Sequence, residues 1–473
     1  MLLLAAAIFV GSQQCSGCHA AIAEAYAKTP MARSSGAVES VPQADFRAGG
    51  LHYRITDKRL FFDQGSASFD YFIGSNSKGR TYLSQRDGYL FELPVSWYVH
   101  TGAWDASPGY EQYREVKLDR PVETSCLLCH ASQMRYVRGT QNRYADPPFG
   151  ENGVACERCH GPGSEHVRDP IAAPMVNPAR LDAERRDSVC IQCHLSGASR
   201  VQRAGKRFVD FRAGEKAAEY ATYFVWEGGR QDFRVTSHVE RLAASRCKQA
   251  SGDALWCGSC HDPHTNADRT QTACTGCHTD AHHATESCSS CHMPKTAAVD
   301  AGHGVFTDHS IPLIPKPAAA KPGARRQLTA FLGVVDDRAL GIAYAEIGDR
   351  RAKEYLERAK PADAQVLLHL ASMERGPRRA AELYKGVLRE DPANLTALVN
   401  LGSLYAQTGR VEEAAQLWRR ALDANPALEG ATLNLSQVLP PAEARALLER
   451  CLTFNPGSSI LRGRLEALGR KPK

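Results

Sequence analysis

The chain has 473 residues, of which 43% are hydrophobic and 23% are charged, so its composition excludes a disordered chain and its length allows two or three globular domains. The formal net charge is +6. No apolar run reaches the roughly 18 residues that a membrane-spanning helix needs, so no transmembrane span is expected in the mature chain.

Residues 1–10 form the predicted export segment. Leu2 to Val10 is a run of nine apolar residues, and Ala5 and Ala7 supply a small-x-small cleavage pattern, although the basic stretch that normally precedes such a run is missing. We therefore expect the protein in the periplasm, at the cell surface or outside the cell.

The cysteines follow one repeated pattern. Fourteen of the sixteen fall into seven Cys-x-x-Cys units, and histidine follows each unit at once. The cysteines of these units are Cys15 and Cys18, Cys126 and Cys129, Cys156 and Cys159, Cys190 and Cys193, Cys257 and Cys260, Cys274 and Cys277, and Cys288 and Cys291. The histidines that follow them are His19, His130, His160, His194, His261, His278 and His292.

This spacing has a mechanical explanation. Two cysteines three positions apart lie about one helical turn apart, so both sulfurs can reach the two vinyl groups on one edge of a porphyrin, and the next residue can bind the iron as proximal ligand. Zinc sites pair their Cys-x-x-Cys units and do not require a histidine after each, and disulfide frameworks do not repeat one interval seven times. The pattern predicts seven covalently attached haem c groups.

The predicted cofactors would alter both the net charge of the protein and the composition of its buried core. Seven haems bring fourteen propionate carboxylates, which outweigh the net charge of +6, so the basic chain gives no indication of nucleic-acid binding. From Cys15 to His292 there are about 40 residues per haem, too few for a conventional core around each one. We expect closely packed haems to form much of the buried surface.

The interval between the first two attachment sites reads as β-structure. Short strand-like runs begin at Leu51 and Arg59, and two further runs flank the hairpin turn signal Asp87-Gly88. The sequence predicts a small antiparallel insert over residues 46–95, inside a haem-binding domain that spans residues 11–310.

The last third of the chain is predicted to be an α-solenoid. Residues 311–328 are rich in proline and alanine and read as a linker. In residues 329–470, Pro392 and Pro426 lie 34 positions apart, as do Asn400 and Asn434, which is the period of tetratricopeptide repeats. We expect about four repeats and a mainly α fold overall. Within the repeats, Cys451 and His369 are interpreted as packing residues.

Each iron also needs a sixth ligand, and the histidines outside the motifs are the first candidates. They are His52, His100, His166, His238, His264, His282, His283, His303 and His309. His166 is too close in sequence to His160 to bind the opposite face of the same porphyrin, so we expect it to ligate a neighbouring haem, and the same holds for His264 relative to His261. No spare histidine lies near Cys190, so the partner of that haem is not predicted.

Two segments carry a family resemblance. Cys156-Glu-Arg-Cys-His-Gly-Pro-Gly-Ser-Glu-His166 and Cys257-Gly-Ser-Cys-His-Asp-Pro-His264 resemble the multihaem cytochromes related to the tetrahaem electron carrier of ammonia-oxidising bacteria, over roughly residues 12 to 310. The resemblance implies that His166 and His264 are distal ligands. The family often has histidine where this chain has Met31, which is either a methionine ligand that raises the reduction potential or a buried apolar residue.

The favoured hypothesis is an electron carrier whose repeats dock a redox partner or another copy of the chain. One alternative is an oxidoreductase that acts on a small nitrogen or sulfur compound at a haem with an open distal face, for which the haem at Cys190 is the candidate. No catalytic residue can be named for it. The other alternative is a subunit of an extracellular conductive cytochrome filament.

Overall fold

The computed structural model describes residues 8–75, 77–227, 232–279, 287–301, 304–313 and 327–469. About 41% of the structure is helix and about 20% is strand. Helix exceeds strand, as predicted, but the strand content is larger than one small insert would supply. The prediction of a mainly α fold is therefore confirmed only in part.

Two antiparallel sheets follow the first attachment motif. One has five strands in the order β1-β6-β7-β8-β9, and the other has four in the order β2-β3-β4-β5. The strands are β1 (Ser35–Ala37), β2 (Ala44–Ala48), β3 (Leu51–Thr56), β4 (Arg59–Phe62), β5 (Gly65–Ser68), β6 (Tyr71–Ile73), β7 (Gly79–Arg86), β8 (Tyr89–Tyr98) and β9 (Ala103–Ala106). The sheets extend beyond the predicted insert of residues 46–95, because β1 and β9 are too short and too poor in β-branched residues to be recognised from sequence.

The predicted hairpin joins β7 to β8. Arg86 pairs with Tyr89 across the turn, and Asp87 and Gly88 have φ angles of 51° and 83°. Both angles lie in the left-handed region that a two-residue hairpin turn requires, which explains why aspartate and glycine occupy these positions. Apolar side chains of both sheets, among them the buried Trp104, form one hydrophobic cluster.

Eleven helices lie in the region of the attachment motifs. They are α1 (Ser12–Ser16), α2 (Ala20–Tyr26), α3 (Thr124–Leu127), α4 (Cys156–His160), α5 (Ser164–Arg168), α6 (Ala183–His194), α7 (His238–Ala243), α8 (Arg246–Ser251), α9 (Cys257–Cys260), α10 (Thr270–Thr275) and α11 (Cys288–His292). The motifs themselves fall on seven of these, α1, α3, α4, α6, α9, α10 and α11. Four single 3-10 turns lie between them, at Pro178–Arg180, Phe208–Asp210, Ala217–Glu219 and Gly252–Ala254.

Further strands connect these helices. They are β10 (Ser132–Tyr136), β11 (Tyr144–Glu151), β12 (Ser199–Gln202), β13 (Ala221–Trp226), β14 (Lys295–Ala297), β15 (Val305–Thr307) and β16 (Leu328–Leu332). β10 pairs with β11, β14 pairs with β15, and β12, β13 and β16 form a three-stranded sheet.

The segment that carries the last three motifs has little core of its own. Between Phe233 and Leu328, none of the residues that the structure describes is a buried hydrophobic residue. Helices α9, α10 and α11 have four, six and five residues, too few to present a continuous apolar stripe. This segment therefore needs a source of apolar contact other than its own side chains.

The C-terminal third is an array of antiparallel helices. They are α12 (Asp337–Glu346), α13 (Ala352–Arg358), α14 (Ala364–Met373), α15 (Pro377–Glu390), α16 (Leu395–Gln407), α17 (Val411–Ala424), α18 (Glu429–Val438), α19 (Pro441–Phe454) and α20 (Ser459–Gly469). α12 to α19 form four helix pairs, in agreement with the predicted four repeats. Cys451 is buried beside Leu448 and Leu461, as expected of a packing residue.

The C-terminal ends of α17 and α19 contact the β-sheet region near the N-terminus. Tyr89 donates its hydroxyl proton to the carbonyl of Asp423 at 2.8 Å, and the backbone N–H of Leu118 donates to Asn455 Oδ1 at 3.3 Å. Tyr89, Phe91 and Phe454 share a buried apolar cluster. The repeats are thus packed onto the β-sheet region.

The predicted linker of residues 311–328 lies mostly outside the described residues. Its boundary with the repeats falls inside β16, which pairs with β13. The sequence missed this strand because β16 follows a proline-rich stretch and its partner lies about 100 residues away.

Part of the predicted export segment belongs to the fold. The backbone N–H of Ile8 donates to Ser164 Oγ at 2.9 Å, and those of Val10 and Gly11 donate to the Glu157 carboxylate at 2.9 and 2.8 Å. Residues 8–11 thus contact the segment of the third motif, residues 1–7 lie outside the described residues, and the export segment of residues 1–10 stays a prediction. No helix in the described ranges is both long and apolar enough to span a bilayer.

Candidate functional site

One continuous cavity of about 3190 Å³ lies within the motif-bearing region. Ligand pockets for small molecules measure about 300–1,000 Å³, so this cavity is several times larger than one such ligand requires. All seven motifs contribute residues to its lining, including each of the seven histidines that follow the cysteine pairs. The cavity brings together groups that are spread over residues 15–292 of the sequence.

The motifs have the local geometry that thioether attachment requires. In the motifs of His19, His261 and His278, the backbone N–H of the histidine donates to the backbone carbonyl of the first cysteine at 2.9 Å, which closes one helical turn. All fourteen motif cysteines are free thiols, and none forms a disulfide. These thiols are available to bond to a porphyrin edge, so the residues present fit covalent haem.

Neighbouring motifs meet through their cysteines. Four pairs of thiols from different motifs lie close enough for each pair's members to perturb each other's pKa: Cys15 with Cys156, Cys129 with Cys193, Cys190 with Cys257, and Cys274 with Cys288. Attachment edges of adjacent porphyrins would therefore be close together, and the spatial order of the motifs differs from their order in the sequence.

Two pairs of imidazole rings lie close together in nearly parallel planes. The ring centres of His19 and His166 are 6.5 Å apart with planes 11° apart, and those of His160 and His264 are 5.9 Å apart with planes 10° apart. Metal–nitrogen bonds of about 2.0 Å on opposite sides of one ion place the two ring centres roughly 6 Å apart. Both pairs have room for an iron between them.

A second group of histidines surrounds the fourth and fifth motifs. The ring centres of His261 and His309 are 6.2 Å apart with planes 43° apart. His238 lies beside His194, with ring centres 4.9 Å apart, and also beside His309, at 4.7 Å. The sequence offered no partner for the haem at Cys190, whereas the structure places His238 next to the histidine of that motif.

Burial and the neighbouring histidines together lower the pKa of His194 to about 4 and that of His238 to about 3, so both imidazoles are neutral at pH 7. Burial also lowers the pKa values of His130, His160 and His309. A neutral imidazole has the free lone pair that a metal ligand needs.

Backbone carbonyls orient several of the rings. In each case the Nδ1 atom lies within hydrogen-bonding distance of a carbonyl oxygen: His160 with Val176 at 2.7 Å, His166 with Ala173 at 3.0 Å, His292 with Pro312 at 3.0 Å, and His309 with Thr307 at 3.0 Å. A hydrogen bond at Nδ1 leaves Nε2 as the ligating atom and fixes the ring plane.

Met31 lines the same cavity and lies near the second motif. The Ser34 hydroxyl is hydrogen-bonded to the carbonyls of both Met31 and His130, at 2.8 and 2.9 Å. The Nδ1 atom of His130 is buried and has no hydrogen-bond partner among the described residues. No second histidine ring contacts His130 within the described part of the chain.

Other predicted candidates lie elsewhere. His52 is exposed on β3 and bonded to Asp45 Oδ1 at 2.6 Å, and His100 is exposed in the turn between β8 and β9. Neither is among the cavity-lining residues, so the structure does not support their prediction as distal ligands. His282, His283 and His303 lie outside the described residues.

Sequence reasoning missed three groups that organise the site. Glu157 is buried and accepts the backbone N–H groups of Val10, Gly11 and Gly163, which ties the first motif to the third. Arg241 donates to Asp308 from Nε at 3.0 Å, which ties the helix of His238 to the segment of His309. Arg158 lies among three motifs. Their partners are distant in sequence, so no local signal could identify them.

Similarity to known proteins divides the chain in the same way as the structure. Residues 96–161 match the family described as cytochrome c554 and c-prime, and residues 372–429 match the tetratricopeptide repeat. The Multiheme cytochrome MtrA of Shewanella baltica (strain OS185) is 26% identical over 197 residues, which are 37% of this chain and 58% of that relative. The match thus spans less than two thirds of the relative's length.

Two solved structures are similar to the chain over different shares of its length. The Outer Cell Wall Cytochrome OcwA is 15% identical, with 94% of this chain and 99% of that chain covered, and the TM-score is 0.44. A structure of MamA is 27% identical, with 28% of this chain and 81% of that chain covered, and the TM-score is 0.25.

Proposed function

We propose that the chain, a multihaem c-type cytochrome joined to tetratricopeptide repeats, transfers electrons through seven covalently attached haems outside the cytoplasm. The observation that carries this proposal is that all seven motifs line one cavity, which brings every attachment cysteine pair and the histidine after it to the same space. When bound, haem iron exchanges single electrons by changing its oxidation state. The protein's own contribution is to fix the cofactors close to one another and to supply ligands to both faces.

The histidine pairs support specific ligand assignments. We assign His166 to the iron of His19, His264 to that of His160, and His309 to that of His261, because the ring spacings of these pairs match two bonds to one metal.

The haem at Cys190 has the histidine pair His194 and His238. Its rings are closer than a bound iron allows and would have to separate by roughly 1 Å. Among the remaining candidates, Met31 is assigned to the iron of His130, and His282, His283 and His303 are left for the irons of His278 and His292.

Ligation of this kind would connect distant parts of the chain. His166 follows the third motif and would bind the haem of the first, and His264 follows the fifth motif and would bind the haem of the third. Each such bond fixes two attachment sites relative to each other. The repeats would then dock a redox partner protein or a second copy of the chain.

Intact-mass analysis tests the proposal. Protein secreted from a cell that matures c-type cytochromes should carry seven haem additions, and replacing Cys257 and Cys260 by alanine should remove one. A mass equal to that of the bare polypeptide, or to the polypeptide plus zinc, would contradict the proposal.

An oxidoreductase that acts on a small nitrogen or sulfur compound is the second candidate. The observation that favours it is that no described histidine ring contacts His130, so the candidate open site moves from the haem at Cys190 to the haem at Cys126. Electron paramagnetic resonance of the oxidised protein distinguishes the two functions, because an open ferric site is high-spin. A purely low-spin spectrum would exclude this candidate.

A further inference from the structure

One buried ion pair lies between the two segments that carry His238 and His309. Arg241 donates from Nε to Asp308 Oδ1 at 3.0 Å and from Nη2 to Asp308 Oδ2. The two residues are 9% and 6% exposed. Two parallel hydrogen bonds from a guanidinium to a carboxylate fix both the distance and the orientation, and removing one partner of a buried pair leaves an uncompensated charge. The ion pair is therefore a rigid connection between the two segments.

Each member of the pair is close in sequence to one of the histidines. Arg241 lies three positions after His238 on α7, so the two side chains project from the same side of that helix. Asp308 immediately precedes His309, and its Oδ1 also accepts the backbone N–H of Ser310 at 2.9 Å. The carboxylate that binds Arg241 thus also closes the turn around His309.

Two further hydrogen bonds join the chain before α7 to the chain after the seventh motif. The backbone N–H of Val299 donates to the carbonyl of Phe233 at 2.9 Å. The backbone N–H of Val235 donates to Asp300 Oδ1, also at 2.9 Å. The same two parts of the chain are therefore in contact at several places, and the ion pair is the buried one that lies nearest to the histidines.

We propose that Arg241 and Asp308 are positioning residues that hold His238 and His309 as one unit, so that the ligand geometry of two neighbouring haems is set jointly. This inference rests on the proposed function, in which these histidines are the distal ligands of the haems at the fourth and fifth motifs. Their ring centres are 4.7 Å apart, so one ring cannot move towards the other without displacing it. The pair carries no net charge, so it acts on the irons through position and not through its electric field.

Electron paramagnetic resonance of the oxidised, haem-loaded full chain tests this role, because the signal of a ferric haem depends on the distance and orientation of its two axial ligands. Arg241→Gln and Asp308→Asn each remove one charge of the pair. We expect each variant, at seven haems by intact mass, to lose the wild-type signal of two irons. Arg338→Gln is the matched control, since Arg338 is 5% exposed and donates from Nε to Asp363 in the repeats at 2.9 Å. It should lower the stability and leave the spectrum unchanged.

The outcomes are separable. A wild-type spectrum from either variant would overturn the inference and leave the proposed function intact. Any other number of altered irons, whether one or all seven, would also overturn it, because the two ligands would then not be held jointly and selectively. If a variant does not load seven haems, peptide mapping decides: the missing haems should be those at Cys190 and Cys257, and losses at other motifs would overturn the inference. Wild-type protein without haem would instead overturn the proposed function.

Discussion

The imidazole rings of His160 and His264 lie parallel, 5.9 Å apart, although 104 positions separate them in the sequence. His160 ends helix α4 of the third motif, whereas His264 follows the fifth motif in a loop. A hydrogen bond between Nδ1 of His160 and the carbonyl oxygen of Val176 orients the first ring. The ring of Tyr26 packs edge-on against that of His264, with the ring centres 6.5 Å apart. This pairing is the structural basis for assigning both rings to one iron.

Replacing His264 by alanine should open one haem. The substitution removes the ring that faces His160, so one ferric iron of the seven should change from low-spin to high-spin, and electron paramagnetic resonance would detect it. His52→Ala is the matched control, since His52 is exposed and bonded to Asp45, and it should leave the spectrum unchanged. An unchanged spectrum for His264→Ala would contradict the ligand assignment.

Replacing Met31 by histidine should lower the potential of one haem. A thioether ligand stabilises ferrous iron relative to imidazole, so the Met31→His protein should lose its highest-potential component while it stays fully low-spin. Redox titration followed by optical absorbance measures this change. If Met31 is instead a buried apolar residue, the titration will not move, and Met31→Leu will behave like the wild type.

Truncating Phe454 should loosen the contact between the repeats and the sheets. Phe454 is 1% exposed and packs against Tyr89 and Phe91, so Phe454→Ala should cost about 3–5 kcal/mol of stability in the repeat region. Hydrogen exchange of α18 and α19 should increase. Ile460→Ala is the control, because Ile460 is 56% exposed and should change stability by less than about 0.5 kcal/mol. Equal effects of the two substitutions would show that the contact is unimportant.

Acid should weaken the contact between the repeats and the β-sheet region, because protonation removes the negative charge of Glu115. Burial by itself would raise the pKa of Glu115, but hydrogen bonds from Lys117 and from the backbone N–H of Ser459 outweigh it and lower the pKa to about 2. The carboxylate therefore stabilises the fold above the unfolded pKa of 4.5, and this contribution is lost as the pH falls from 4.5 towards 2.

Thermal unfolding of the wild type and of Glu115→Gln between pH 7 and pH 3 measures this contribution. The difference between the two midpoints should be constant above pH 5 and should shrink below pH 4.5, and the full contribution is at most about 3 kcal/mol. A gap that does not change with pH would mean that Glu115 keeps its ordinary pKa in the folded protein.

The local parts of the site could be predicted and the long-range parts could not. The Cys-x-x-Cys-His spacing is set within one helical turn, so sequence alone located every motif. The 34-residue period likewise located the repeats. By contrast, the pairing of His19 with His166 and of His194 with His238 depends on how distant helices pack. The resemblance of two segments to known cytochromes indicated that His166 and His264 are ligands but not which iron each binds.

The position of His52 on its strand argues against the prediction that it is a ligand. On β3, Tyr53 and Ile55 are buried, so the alternation of a strand turns His52 and Arg54 outward to solvent. Residue type alone makes His52 a candidate ligand, whereas the alternation of buried and exposed residues on β3 places it in solvent. Glu157 and Arg158 occupy the two variable positions of the third motif. The motif sets no requirement on residue type there, so sequence alone gives no indication of their contacts.

Among the described residues, no buried apolar side chain lies around the last three motifs, and this has a consequence for biosynthesis. The β-sheets and the helical repeats each have an apolar cluster of their own, so both can fold without added groups. If the chain carries haem as proposed, the stretch between them would stay open to the enzymes that attach the cofactor until the porphyrins are in place. A chain that misses one porphyrin would then keep a segment that proteases can cleave.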